Sequence, residues 1–242
     1  MSNDIAEKDF ELLKASELWT RPEPGARQTG LSRNDIATAA LQIADSEGIA
    51  ALSMRRLADV LNVGTMTLYS YVQNKDELLL LLSDAVMQKA IIPKSKLTGD
   101  WRESLVKIAS HTRKVFQKHS WVFDLQDDTG PGPNSIKHYD NSLQTIMHLD
   151  LSLTEKTDIL ATVYNYIFGF CAAERHALKK HSKSDCIHKY LDELFDSGDY
   201  PALAQTCKEH GLDKVFSEVE RAKKDPERFE RNLKRMLDGF DY

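Results

Sequence analysis

Residues 52–77 read LSMRRLADVLNVGTMTLYSYVQNKDE, and the reading of this stretch decides the fold. Ser53 is a residue type that accepts hydrogen bonds from the free backbone N–H groups of a following helical turn, and Leu52 can pack against Leu57 as a staple. A helix therefore starts at about Ser53, with Leu57, Ala58 and Leu61 on its inner face. It stops at Asn62, one of the few non-glycine residues that tolerates a left-handed backbone. Val63 turns back toward the core, and after Gly64 a second helix begins near Thr65, with Leu68 and Tyr71 or Val72 inward. Thr65, Met66, Thr67, Tyr69 and Ser70 are left to point elsewhere. Two short helices crossing steeply over a three-residue turn need a small residue at the crossing, and Ala58 stands there. The spacing is that of a helix-turn-helix. A plain helical hairpin with solvated polar residues is the alternative for this segment taken alone.

Upstream, Ser32 and Asp35 have the spacing of a capping box, and Leu31 and Ile36 that of a staple, so three local signals agree on one helix start. Ile36, Ala40, Ile43 and Ala44 mark one face of that helix, and Gly48 suits its C-cap. It can cover the other two and complete a three-helix unit. Downstream, Asn74 and Glu77 form a further candidate capping box, opening a helix that runs through the leucines at 78–82 toward Ile92 and ends at Pro93. Apolar nearly all round, this helix is expected to be buried on more than one side and to link the small unit to whatever follows.

The rest of the chain stays helical in pattern. Helices are expected over residues 101–119 and 134–149, then from a cap at Thr154 through a wide apolar stripe of Ile159, Val163, Ile167 and Phe170. Residues 182–198 read as a loop or frayed helix, ALAQTCKEHG (202–211) as a short helix ended by Gly211, and residues 216–240 as a charged amphipathic helix or a pair broken near Pro226. No stretch alternates apolar and polar residues as a strand does, so the expected class is all-α. At the other end, residues 1–19 carry a weak amphipathic pattern at Ile5, Phe10, Leu13 and Leu18 or Trp19. TRPEPGARQTG (20–30) then reads as a linker or as an arm whose Arg21 and Arg27 reach a groove or phosphates.

Composition excludes several classes. At 41% hydrophobic and 29% charged residues the 242-residue chain is a soluble globular type. Its longest apolar run, LLLLLSDAVM (78–87), is broken by Asp84 and falls short of the roughly 20 residues of a membrane helix. The acidic start MSNDIAEKDFE lacks the layout of a signal peptide, which places the chain in the cytoplasm. Cys171, Cys186 and Cys207 form no CxxC pair and read as reduced thiols. There is no GxSxG, no GK[ST] phosphate loop and no dinucleotide fingerprint. Asp127 and Asp128 read as solvated, so an enzyme is not expected and no cofactor is implied. The eight histidines include no metal-binding motif, and no metal is expected. A net charge of −5 weighs mildly against nucleic acid. Placement offsets the sum, because Arg55, Arg56 and Lys75 fall at the edges of the helix-turn-helix, where phosphates would lie.

Residues 31–79, LSRNDIATAALQIADSEGIAALSMRRLADVLNVGTMTLYSYVQNKDELL, closely resemble the N-terminal domain of the TetR family of bacterial transcriptional regulators. The second half is similar to a TetR-type regulatory domain through KHSWVFDL, the GPGPN loop, YNYIFGF, YPALA and RFERNLKRMLDGF. The resemblance implies a flexible extension over residues 1–30, a helix-turn-helix DNA-binding domain over 31–74, and a larger helical effector-binding and dimerisation domain over 75–242. It implies a homodimeric repressor on a palindromic double-stranded DNA operator, released by a small-molecule effector. A helical protein-interaction module without DNA binding is the rival reading. Carried over by position, Ser53 would meet a phosphate and Arg55 a base edge, most plausibly guanine. Thr65, Met66, Thr67, Ser70 and Tyr71 would lie in or beside the major groove, with Tyr71 read equally as partly core. Tyr69 and Lys75 would hold phosphates. Side-chain chemistry adds that Met66 and Thr67 could touch a thymine methyl.

In such proteins a four-helix bundle joins the subunits, here assigned to residues 154–178 and 216–240. The effector cavity is expected to draw on Trp101, His111, Phe116, Trp121, Phe123, Tyr139, Asn165, Phe168 and His176, residues that read equally as plain core packing.

Overall fold

The computed structural model describes residues 17–24, 30–125, 131–178 and 186–240. Among the described residues the chain is helical and contains no strand. In order the α-helices are α1 (Glu17–Thr20), α2 (Arg33–Glu47), α3 (Met54–Leu61), α4 (Thr65–Tyr69), α5 (Lys75–Ala90), α6 (Trp101–Lys118), α7 (Pro133–Ile146), α8 (Leu153–Leu178), α9 (Cys186–Asp196), α10 (Pro201–His210), α11 (Leu212–Lys224) and α12 (Arg228–Asp238). Helices α2, α3 and α4 form the small N-terminal unit, and α5 packs on α2 at one side and on α6 and α7 at the other. Helix α6 in turn packs against α8 and α12, so one hydrophobic core runs from Leu18 to Leu237.

Local signals account for the starts of α2, α3 and α5. Ser32 accepts from the Asp35 N–H and Asp35 reaches back to the Ser32 N–H, a complete capping box, with Leu31 and Ile36 both buried behind it. Ser53 caps α3 by accepting from the Arg56 N–H, and Asn62 ends that helix in the left-handed conformation, φ 53° and ψ 46°. Asn74 caps α5 as expected, but Glu77 does not close the box. Its carboxylate accepts from the Gln73 N–H and pairs with Arg21.

Some expectations need correction. The cap of α8 is Ser152, not Thr154: Ser152 and Glu155 exchange side-chain and backbone hydrogen bonds, two residues earlier than the sequence suggested. Residues 186–196, read as loop or frayed helix, form α9. Helix α7 ends at Ile146, short of Leu149. The terminal segment is a pair of helices broken around Pro226, the second of the two alternatives. In α12, Phe229, Leu233 and Leu237 repeat every fourth residue and are fully buried. The Arg102 guanidinium donates to the carbonyls of Leu237 and Phe240 at the end of α12 and lies 4.2 Å from the Trp101 ring.

Arg21 is not part of a free arm. It lies against the head, donating to both Glu77 carboxylate oxygens and to the Tyr71 carbonyl. Burial opposes ionisation of Glu77, but the Arg21 guanidinium and the Gln73 N–H hold its carboxyl below the usual range. Arg27, the pattern at Ile5, Phe10 and Leu13, and the pair Asp127 and Asp128 lie outside the described residues.

Candidate nucleic-acid interface and effector cavities

Helix α4 is held by one fully buried anchor, Leu68, while its other side chains turn outward. Met66 is 80% exposed and Tyr69 43%, with Thr65 and Ser70 exposed beside them and Thr67 half-buried. A thioether left in water on a five-residue helix stabilises nothing in the monomer, so its place in the surface suits contact with something else. On α3, Arg55 is exposed and Ser53 stands at the helix start. Arg56, the neighbouring candidate for phosphate, is instead taken by Glu47: its Nη2 lies 2.6 Å from one carboxylate oxygen and its Nε 3.1 Å from the other. Lys75 is exposed in the first turn of α5.

Of the two places expected for Tyr71, beside the major groove or partly in the core, it takes the second. It is 1% exposed, and its hydroxyl donates to the Leu31 carbonyl at 3.0 Å. The α4 helix has ended by Tyr69, and the following turn directs Tyr71 into the core alongside Val72. Its backbone carbonyl, meanwhile, accepts from both Arg21 and Arg33.

Cavities among the described residues include two in the larger helical part, and the nine expected effector residues do not converge on either. The larger, about 610 Å³, opens between the end of α5, α6 and α12 and is lined by Lys96, Lys107, Lys114 and Lys234 facing Glu103 and Glu230. His111 belongs to it, with Nε2 2.9 Å from the Lys89 carbonyl. The smaller, about 370 Å³, lies between α5 and α7 and includes Tyr139. The others pack elsewhere. Phe116, Phe123 and Phe168 meet edge to face with ring centroids 5.3 to 5.6 Å apart, and Trp101 is buried under Arg102. Trp121 donates to Asp45, while Asn165 and His176 lie exposed on α8. The sequence had no means of separating a cavity wall from a core contact, since both call for the same residue types.

Residues that the sequence reading did not single out line the smaller cavity: Met87, Ser135, Ile136, His138 and Tyr164. His138 is 1% exposed, with Nε2 2.9 Å from Thr112 Oγ1 and Nδ1 3.1 Å from the Tyr164 hydroxyl, which also lies 3.1 Å from Ser142 Oγ. Burial pushes the imidazole down to about 4, helped by His111, and pushes the Tyr164 phenol up to about 12. Both are therefore uncharged at neutral pH. Beside the cavity Asp84 of α5, 4% exposed, accepts from the Asn134 N–H at 2.9 Å, the Asn134 side chain at 2.7 Å and the Ser135 N–H at 3.1 Å, capping α7 from a neighbouring helix. A Cβ at Gly132 would sit 2.3 Å from the Asp84 carboxylate, so only glycine permits this approach. The visible signal was the single acid that interrupts the leucine run.

A second joint ties the head to the body. Asp45 of α2 lies 2.7 Å from His119 Nδ1 and accepts from Trp121 Nε1 at 2.8 Å through the same oxygen. Among the described residues no group of three or more His, Cys, Asp or Glu is placed to hold a metal, and no helix is long and apolar enough to cross a membrane.

Family comparison agrees with this geometry. A model for bacterial regulatory proteins of the tetR family matches residues 36–82, and one for the tetracyclin repressor-like C-terminal domain matches residues 93–242. The chain belongs to the TetR family. It is 29% identical to the HTH-type transcriptional repressor DrrR1 of Streptomyces coeruleorubidus, over 99% of this chain and 87% of that protein. An HTH-type transcriptional regulator of Saccharopolyspora erythraea is 31% identical over 77% of this chain and 80% of its own length. Among solved structures, the TetR family protein ActR of Streptomyces coelicolor in complex with (S)-DNPA superposes with a TM-score of 0.61 at 25% identity, covering 86% of this chain and 98% of ActR. This TetR-family chain is a ligand-responsive, DNA-binding transcriptional repressor. Nothing favours the rival reading of a protein-interaction module without DNA.

Proposed function

We propose that two copies of this chain read a palindromic operator with the surfaces of α3 and α4, and that an effector bound in the larger helical part ends that contact. The exposure of Met66 beside Thr65, Tyr69 and Ser70, on a helix otherwise anchored by Leu68, carries the reading. Arg55 reaches a base edge, guanine being the match for a bidentate guanidinium. Ser53, Tyr69 and Lys75 hold phosphates and fix register, while Thr65, Met66, Thr67 and Ser70 line the groove. Tyr71 and Arg56 are omitted, because one is core and the other is paired with Glu47.

Residues 31–74 act as the reading domain and 75–242 as the effector and dimer domain, with α5 as the mechanical link. The dimer forms through the outer face of α8, where Ala161, Asn165 and Phe168 are exposed at helical spacing, together with the terminal helices. Two-fold symmetry sets the paired α4 helices about 34 to 36 Å apart, one turn of DNA. The protein acts in the cytoplasm and carries no catalytic site. A gel shift with the promoter region beside its own coding sequence tests the reading, and absence of binding at low salt would overturn it.

A further inference from the structure

We propose that the smaller cavity, between α5 and α7, seats an uncharged, flat aromatic molecule, which names the effector class within the ligand-responsive reading above. The rings of Tyr139 and Tyr164 stack at a centroid distance of 5.9 Å with an interplanar angle of 17°, offering a flat π surface. Met87, Pro131 and Ile136 complete the walls, and among the described residues no ionised side chain lines the cavity. Two of its polar groups are already engaged: His138 lies between Thr112 and Tyr164, and Tyr164 also meets Ser142.

An anion entering this cavity would lose its hydration without gaining a cation, and would approach the Asp84 carboxylate bound behind Ser135. A cation would find that carboxylate already accepting from Asn134 and Ser135. The larger cavity, with its four lysines, has the opposite character. The smaller one is also placed to act on the head. Met87 lies one turn beyond Asp84 on α5, Ile136 and Tyr139 lie on α7, and α5 packs on α2, so an occupant touches both sides of the joint that Asp84 closes.

Isothermal titration at pH 7 with three probes sharing one fused ring system tests the class: 2-naphthol, ionised 2-naphthoate and 2-naphthylmethylammonium. We expect 2-naphthol to bind the full-length protein about tenfold more tightly or better than either ion. Ile136 is 57% exposed at the cavity lip, so Ile136→Lys leaves the fold intact, and it is expected to shift the preference toward 2-naphthoate. Equal affinities, a wild-type preference for either ion, absence of binding by all three, or a preference unmoved by Ile136→Lys would overturn the proposal. Operator binding by the ligand-free protein, read by gel shift, is a separate measurement. Its loss would sink the DNA-reading proposal and leave the cavity result standing.

Discussion

Arg55 and Tyr71 separate contact from scaffold within one short stretch of sequence. Arg55→Ala removes an exposed side chain, so the melting temperature and dimerisation are expected to hold while operator affinity falls by about 1–3 kcal/mol in a gel-shift titration. Tyr71→Phe removes the buried hydrogen bond to the Leu31 carbonyl. It is expected to cost about 1 kcal/mol in urea unfolding and to leave the operator affinity of the folded protein unchanged. His138 gives a pH signature. Its folded value of about 4 lies below the ordinary imidazole range, so on acidification the unfolded chain takes up a proton before the folded one does. Its contribution to stability is complete above about pH 6.5 and is lost as pH falls toward 4, by about 3 kcal/mol at most. Urea midpoints measured across that window should decline more steeply for the wild type than for His138→Gln. An equal slope would show that His138 does not carry the effect. At this scale the Ser32–Asp35 capping box and the left-handed Asn62 were legible, because each is a property of a few neighbouring residues. The bond from the Tyr71 hydroxyl to the Leu31 carbonyl was not, because the two residues are forty positions apart.

Some helix ends in this protein are held by side chains from other helices, and α7 shows it most directly. Its first N–H groups have no acceptor in their own segment, where Gly132 stands at the N-cap, and Asp84 of α5 supplies one. Asp84→Ala leaves those donors and the Asn134 amide without their partner, a loss expected at about 1–3 kcal/mol. Hydrogen exchange should quicken at the amides of α7 before those of α2, and uniform quickening would argue against a local role. Arg102 at the end of α12, and Asp45 of α2 holding His119 and Trp121, follow the same pattern. Helix periods in the sequence located most of these elements, since one buried face leaves a repeating mark. They left α9 undecided between loop and frayed helix and placed the α8 cap two residues late, because polar segments and competing cap residues give weak or double signals.

For the whole molecule the question is how an acidic chain meets DNA and how two copies meet each other. The overall charge of −5 coexists with an exposed Arg55 and Lys75 on the head, so attraction to DNA is local. Operator affinity is expected to fall linearly on a log–log plot against salt, with a slope that reports the small number of phosphates neutralised. Ala161 is exposed in the middle of α8, on the proposed dimer face. Ala161→Arg sets two like charges against each other across a two-fold axis and is expected to yield a folded monomer by light scattering, with operator affinity lost. A dimer that persisted would move the interface elsewhere. The sequence by itself determined the all-α class, the helix-turn-helix and the family, because caps, periods and turn residues act over a few positions. Only the tertiary structure decided which aromatic residues wall a cavity, that Arg21 lies bound to Glu77, and that Asp84 ends a helix far along the chain. Those outcomes depend on which surfaces meet, and a pattern of residue types does not record that.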